Sequence, residues 1–216
     1  RVRVAGGPVM FLQETDYPWD GRVRVRFELE APRRFTVRVR IPGWARNEPV
    51  PSDLYRFRDT CETAPELAVN QQRVALRLEN GFVPITRTWR SGDAIDLTLP
   101  MPVRRVVSHP LVQINAGRIA LQRGPVVYCA EGVDHQGRAL NLRVPDDAHL
   151  TWVYRRDLLG GVGVIEGKIF ALEKEGNGLV QRERRLKAIP YCVWSNRGAG
   201  EMAVWLWNEC DRVTLD

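Results

Sequence analysis

Residues 22–30 read RVRVRFELE. Val23, Val25, Phe27 and Leu29 occupy alternate positions, with arginines and glutamates between them. Successive side chains of a strand point to opposite faces, so this run has one apolar and one charged face. Such alternation belongs to an antiparallel sheet that is packed on one side and wet on the other. The pattern recurs downstream. Phe35, Val37, Val39 and Ile41 share a face in FTVRVRI; Val74, Leu76 and Leu78 do so in VALRLE; Ile95, Leu97 and Leu99 do so in AIDLTLP. Turn residues punctuate the runs: Asp20-Gly21, Ala31-Pro32, Pro42-Gly43, Asn80-Gly81 and Ser91-Gly92-Asp93. Strands at short intervals without helical periodicity predict an all-β chain of two consecutive antiparallel β-sandwich, jelly-roll-like domains.

The second half has the same style. GRIALQRGPVVYCAE reads as a strand broken at Gly124-Pro125, and GKIFALE, AIPYCVWS and EMAVWLWN read as further strands. In the last, Met202, Val204 and Leu206 fall on one face and Ala203, Trp205 and Trp207 on the other. Two tryptophans on one face need cover from a loop, the other sandwich or another domain. Ser108-His109-Pro110 interrupts the pattern, which places the domains at residues 1–107 and 108–216. The stretch from Asn47 to Ala68 lacks a period, holds Pro49, Pro51 and Pro65, and reads as a long loop within the first domain. RRDLLGG, from Arg155 to Gly161, reads as one short helical turn.

At 216 residues the chain accommodates two domains of ordinary size. Its 44% hydrophobic and 27% charged residues are those of a globular protein. No apolar run approaches the ~18 residues of a membrane span. The net charge of +6 raises the question of nucleic acid. The arginines alternate along strands, however, which puts them on a solvated face, and no nucleic-acid-binding motif accompanies them. No nucleic-acid or membrane partner is expected. The chain begins at Arg1, which we read as an excision boundary, and no signal peptide is recognisable. The compartment is undetermined, with the cytoplasm slightly favoured. Cys61, Cys129, Cys192 and Cys210 are widely spaced and form no Cys-x-x-Cys pair, so they read as free thiols rather than a zinc site. A single disulfide stays open.

Motifs for chemistry are missing: there is no phosphate loop, no His-Glu-x-x-His and no Gly-x-Ser-x-Gly. Glycoside hydrolysis needs two facing carboxylates. Glu14, Asp16 and Asp20 cluster, as do Asp146 and Asp147, but beside turns, where caps and solvated corners are the commoner use. No catalytic, cofactor-binding or metal residue is expected. Trp19, Trp44 and Trp89 lie at strand ends, in YPWDG, IPGWA and TWRSGD. Tyr17, Trp19, Asp20, Trp44 and Trp89 are the candidates for sugar or interdomain contact. Rings so placed either stack on sugars or plug the ends of a sandwich.

Five ordered blocks carry a resemblance: ETDYPWDGRVRVRFE, FTVRVRIPGWA, ITRTWRSGDAIDLTLPMPVRRV, GRIALQRGPVVYCAE and IPYCVWSNRGAGEMAVWL. Together they resemble the C-terminal β-sandwich region of glycoside hydrolase family 127, whose characterised members include β-L-arabinofuranosidases. The resemblance implies an N-terminal (α/α)6 barrel followed by two β-sandwiches. It also implies a catalytic cysteine nucleophile in a zinc site within that barrel. None of the barrel motifs occurs here, so neither zinc nor catalysis is carried over to Cys129, Cys192 or any other residue. The expected partner is the barrel of the same polypeptide, with arabinose-containing glycans as an open second and a homodimer left open. The alternative is an independent carbohydrate-binding module. Family members tend to carry Val-Asn-Gly where this chain has Val69-Asn70-Gln71, a change that disfavours a type I′ turn.

Overall fold

A computed structural model describes residues 1–176 and 178–209. Its described residues contain antiparallel sheets and short 3₁₀ turns but no α-helix, as the alternation requires. They divide into two compact units.

The first unit comprises Arg1–Glu48 and Cys61–Met101. One layer is a six-stranded sheet in the order Val2–Val4, Gly7–Thr15, Arg22–Leu29, Ala94–Thr98, Glu66–Val69 and Gln72–Arg73. The other is a ribbon of Arg33–Arg40 on Phe82–Trp89, in register from Arg33↔Trp89 to Arg40↔Phe82. The alternating apolar residues meet between the layers, where Val9, Phe27, Ile41, Leu67, Val83 and Ile95 are buried. On the outer face the arginines of Arg22–Leu29 pair with neighbouring carboxylates, Arg24 with Asp96 at 3.3 Å and Arg26 with Glu14 at 3.0 Å. The basic stripe is thus laced to acids across the sheet.

Two expectations for this unit change. Val74–Leu78 forms no ladder: Val74 and Leu76 pack against the core, and Leu78 is exposed. A second correction concerns Trp89, which is wholly buried. Its ring stacks on Phe27 at 4.4 Å and its indole N–H donates to the Phe35 carbonyl at 3.1 Å.

The second unit comprises Pro49–Thr60 and everything from Pro102 onward. Its sheet runs Met202–Ala203, Val126–Glu131, Gly178–Pro190, Val162–Glu175, Leu142–Arg143, Trp205–Trp207, Arg118–Arg123, Val103–Ser108 and Tyr55–Phe57, with Leu150–Arg155 on Val162–Glu175. Val126–Glu131 also pairs with Arg118–Arg123, so hydrogen bonds join the two layers of this sandwich. All pairings are antiparallel except Arg143↔Trp207. Ile119, Leu121, Tyr128, Ile165, Ile169, Leu186 and Leu206 fill its core.

The sequence puts the domain break after residue 107, whereas the contacts put it at Met101/Pro102. The reason is Val103–Ser108, which pairs with Arg118–Arg123 on one edge and Tyr55–Phe57 on the other. Ser108-His109-Pro110 is therefore a bend inside the second unit. The aperiodic segment from residue 47 likewise leaves the first unit and lends the second an edge strand. Arg104 fixes it there. Its buried guanidinium lies 3.9 Å from the Phe57 ring centroid and bonds the Asp59 carbonyl.

Further along, RRDLLGG is a hairpin turn and not a helix, with Leu159, Gly160 and Gly161 at positive φ. The alternation of EMAVWLWN breaks at Val204, so that Ala203 and Leu206 both reach the core. Trp207 is buried in its own unit, donating to the Leu140 carbonyl and covered by the Arg118 guanidinium. Trp205 packs against Tyr55 at 5.5 Å. Both rings find cover inside the second unit and give no argument for another domain.

The Asn70-Gln71 turn keeps both residues at positive φ, 49° and 67°. Asn70 makes this tolerable, because its side chain donates to Asp93 at 2.7 Å and accepts from the Ala94 N–H at 2.8 Å. Gln71 has no such compensation of its own. Gln71→Gly is expected to stabilise the chain by about 0.5–1 kcal/mol, the left-handed penalty less the greater entropy of unfolded glycine. Asn70→Ala is expected to destabilise it. Thermal melts of the two variants check both directions.

Candidate functional site

The aromatic corner of the first unit is assembled by a turn at Asp16, whose carbonyl accepts the N–H groups of Trp19 at 2.8 Å and Asp20 at 3.2 Å. The peptide between Tyr17 and Pro18 is cis. Asp20 locks the exit of the turn, accepting from the Arg22 backbone N–H at 2.8 Å and Nη2 at 2.7 Å. Gly21 is required by close approach: a Cβ there would lie 1.9 Å from the Leu99 carbonyl oxygen. Tyr17 is partly exposed and bonds the side chain of Trp44, which itself rests on the core. Partial burial raises the Tyr17 pKa above its usual value, against the opposing effect of that bond. The structure therefore brings Tyr17 and Trp44 together and puts Trp19 and Asp20 in the same turn. Trp89 lies in the core and presents no surface to a sugar or a domain.

Sequence reasoning missed a second constellation, in the second unit. The buried Glu131 carboxylate accepts from the Ser195 N–H at 2.7 Å and from Arg197 Nε at 3.1 Å. Asp134 accepts from Arg197 at 2.6 Å and Lys187 at 2.9 Å. Burial works against ionisation of Asp134, but the bonds and charges of Arg197 and Lys187 outweigh it and hold its pKa below the usual range. Arg197 is pushed up in return: its own desolvation is outweighed by Asp134 and Glu131. His135 sits beside them, 7% exposed, with Nδ1 2.7 Å from the Glu131 carbonyl and the Lys187 backbone N–H donating to Nε2. This is the neutral imidazole with its proton on Nδ1, and burial lowers its pKa. These carboxylates are saturated with donors. They clamp the turn at 191–198 onto the strand Val126–Glu131.

The described thiols are all free. Cys129 is buried, and desolvation pushes its thiol up to about 12. Cys61 is a half-buried free thiol. Cys192, read as part of a buried strand, is exposed on a 3₁₀ turn. Cys210 lies outside the described residues. Among the described residues, no three His, Cys, Asp or Glu side chains gather to hold a metal ion.

Two layered β units in series, with an aromatic corner in the first and a clamped turn in the second, define a paired β-sandwich region. Comparison places it. The family profile described as the β-L-arabinofuranosidase GH127 middle domain matches residues 1–101, and that of the glycoside hydrolase family 127 C-terminal domain matches residues 103–207. The chain belongs to glycoside hydrolase family 127, as its middle and C-terminal sandwich domains. A non-reducing end β-L-arabinofuranosidase of Bifidobacterium longum subsp. longum is 33% identical over 89% of this chain and 29% of that protein. Among solved structures, a family-127 β-arabinofuranosidase superposes with a TM-score of 0.88 at 35% identity, over 93% of this chain and 32% of that one. A family-127 β-L-arabinofuranosidase from Geobacillus stearothermophilus T6 gives 0.83 at 37% identity, over 96% and 32%. The chain thus spans about a third of the length of these glycoside hydrolases.

The clamp predicts an acid limit to stability. The folded pKa of His135 lies below the ordinary 6.5, so the unfolded chain takes up this proton first. Its contribution is present above pH 6.5 and is lost as the pH falls through that value toward the folded pKa. Asp134 loses its contribution in the same direction, below its ordinary 3.8. Thermal melts should show a first decline in Tm below about pH 6.5 that His135→Gln abolishes. Arg197→Met is expected to cost about 3–5 kcal/mol at neutral pH, because it strands the buried Glu131 carboxylate and leaves Asp134 with Lys187 alone.

Proposed function

We propose that this chain is a non-catalytic paired sandwich of a family-127 glycoside hydrolase acting on β-L-arabinofuranosides. In this reading it stabilises and orients an N-terminal (α/α)6 barrel. The observation that carries the reading is the match of successive middle and C-terminal domain profiles across residues 1–101 and 103–207. The saturated carboxylates of Glu131 and Asp134 and the buried, high-pKa thiol of Cys129 support a structural role for this part.

Support for docking no longer comes from Trp205 and Trp207. It comes from Leu111 and Ile114, which are 83% and 79% exposed on the turn after Val103–Ser108. Two large apolar side chains left in water three residues apart mark surface suited to a partner. The alternative of an independent carbohydrate-binding module is weakened by the burial of Trp89.

A complementation experiment tests the reading. The chain, added to the separately produced helical barrel of a family-127 enzyme, should raise the melting temperature of the barrel. Leu111→Asp combined with Ile114→Asp should diminish that gain while leaving the melt of the chain itself unchanged. A barrel whose melting temperature and turnover ignore the chain would contradict a supporting role.

A further inference from the structure

The long hairpin of the second unit presents a charged face over three consecutive rungs. Glu166 stands opposite Lys187, Lys168 opposite Arg185, and Phe170 opposite Glu183. The intervening Ile165, Ile169, Leu186 and Ala188 fill the core, so these six side chains point the other way. They form the floor of an open groove of about 820 Å³, walled by residues 147–155. That volume lies within the range of small-ligand sites, roughly 300–1,000 Å³.

We propose that this groove binds a neutral, hydroxyl-rich ligand, a short oligosaccharide. Three observations carry the inference. First, the charges balance: Asp134, Asp147, Glu166 and Glu183 face Arg155, Lys168, Arg185 and Lys187. A groove with no net charge does not select a polyanion. Second, donors and acceptors stand side by side. Glu166 accepts from Arg155 Nη2 at 2.7 Å, Lys187 reaches Asp134 at 2.9 Å, and Lys168 reaches Glu183 at 3.3 Å. Carboxylates beside cations offer acceptor and donor together, which is what vicinal hydroxyls require. Third, the row contains one aromatic ring. Phe170 is half-buried in a face otherwise made of charges, and a ring so placed offers the C–H side of a sugar an apolar surface.

A charged hairpin face simply left to water explains the paired charges but not the other features. Lys168 directly opposite Arg185 is a like-charge juxtaposition that destabilises a ladder. Arg185 forms no ion pair among the described residues. Its fork of donors is available to a pair of adjacent hydroxyls.

The site is distinct from the aromatic corner of the first unit, and it rests on the proposed function only for the choice of sugar. Calorimetric titration of the full chain with short L-arabino-oligosaccharides should give saturable binding. Phe170→Ala should weaken it about tenfold, in line with the loss of a ring contact. Phe170→Trp should preserve binding, and Arg185→Met should weaken it without lowering the melt, since it also removes the like-charge pair with Lys168. Three results would overturn the inference: no saturable binding, binding indifferent to Phe170→Ala in a folded variant, or binding confined to oligogalacturonates and abolished by salt. Turnover by the complete enzyme plays no part in this readout, so it can fail independently of the supporting role.

Discussion

The first unit depends on the stack of Phe27 against Trp89. Phe27 comes from the six-stranded sheet and Trp89 from the ribbon, so one ring pair at 4.4 Å joins the two layers. Phe35 extends the stack at 5.9 Å and supplies the carbonyl that satisfies the indole N–H. A buried tryptophan without that acceptor would carry an unmet donor into the core. The alternation of RVRVRFELE follows from this contact. With Phe27 fixed inward, a strand period of two sends Val23, Val25 and Leu29 inward as well, and sends the arginines to water.

The second unit meets the same need differently. Its layers are joined by hydrogen bonding through Val126–Glu131, and its outer edge is completed by Tyr55–Phe57. The buried guanidinium of Arg104 binds that edge strand by its stack on Phe57 and its bond to Asp59. Charge appears again in the clamp of Glu131, Asp134 and Arg197. The buried Glu131 carboxylate is retained where a guanidinium and a backbone N–H surround it, as the cost of desolvation demands.

The architecture was legible because strand alternation is a local signal. Each run reports its own buried face, and Asn80-Gly81 reports its own two-residue turn, with both residues at positive φ. What escaped was non-local. Tyr55–Phe57 is three residues long and has no period to read, and only its pairing with Val103–Ser108 makes it a strand. Val74–Leu78 alternates but has no partner ladder. Trp89 looks like an end residue in TWRSGD, yet the stack draws it fully inside. The break at Val204 moves Ala203 off the face of Trp205 and Trp207, where strict alternation had placed it. Arg197 and Glu131 are 66 residues apart, and nothing in the local sequence of either announces the other. Of the candidate corner, Tyr17, Trp19, Asp20 and Gly21 were visible together because one turn holds them.

The functional account places chemistry outside these two units and assigns them support and recognition. The most direct test is an assay of the 216-residue chain alone, supplied with zinc and a chromogenic β-L-arabinofuranoside. The account predicts no turnover above the uncatalysed rate. Hydrolysis by the chain that disappears on Cys129→Ser or Cys192→Ser would contradict it, because it would place the nucleophile within these sandwiches.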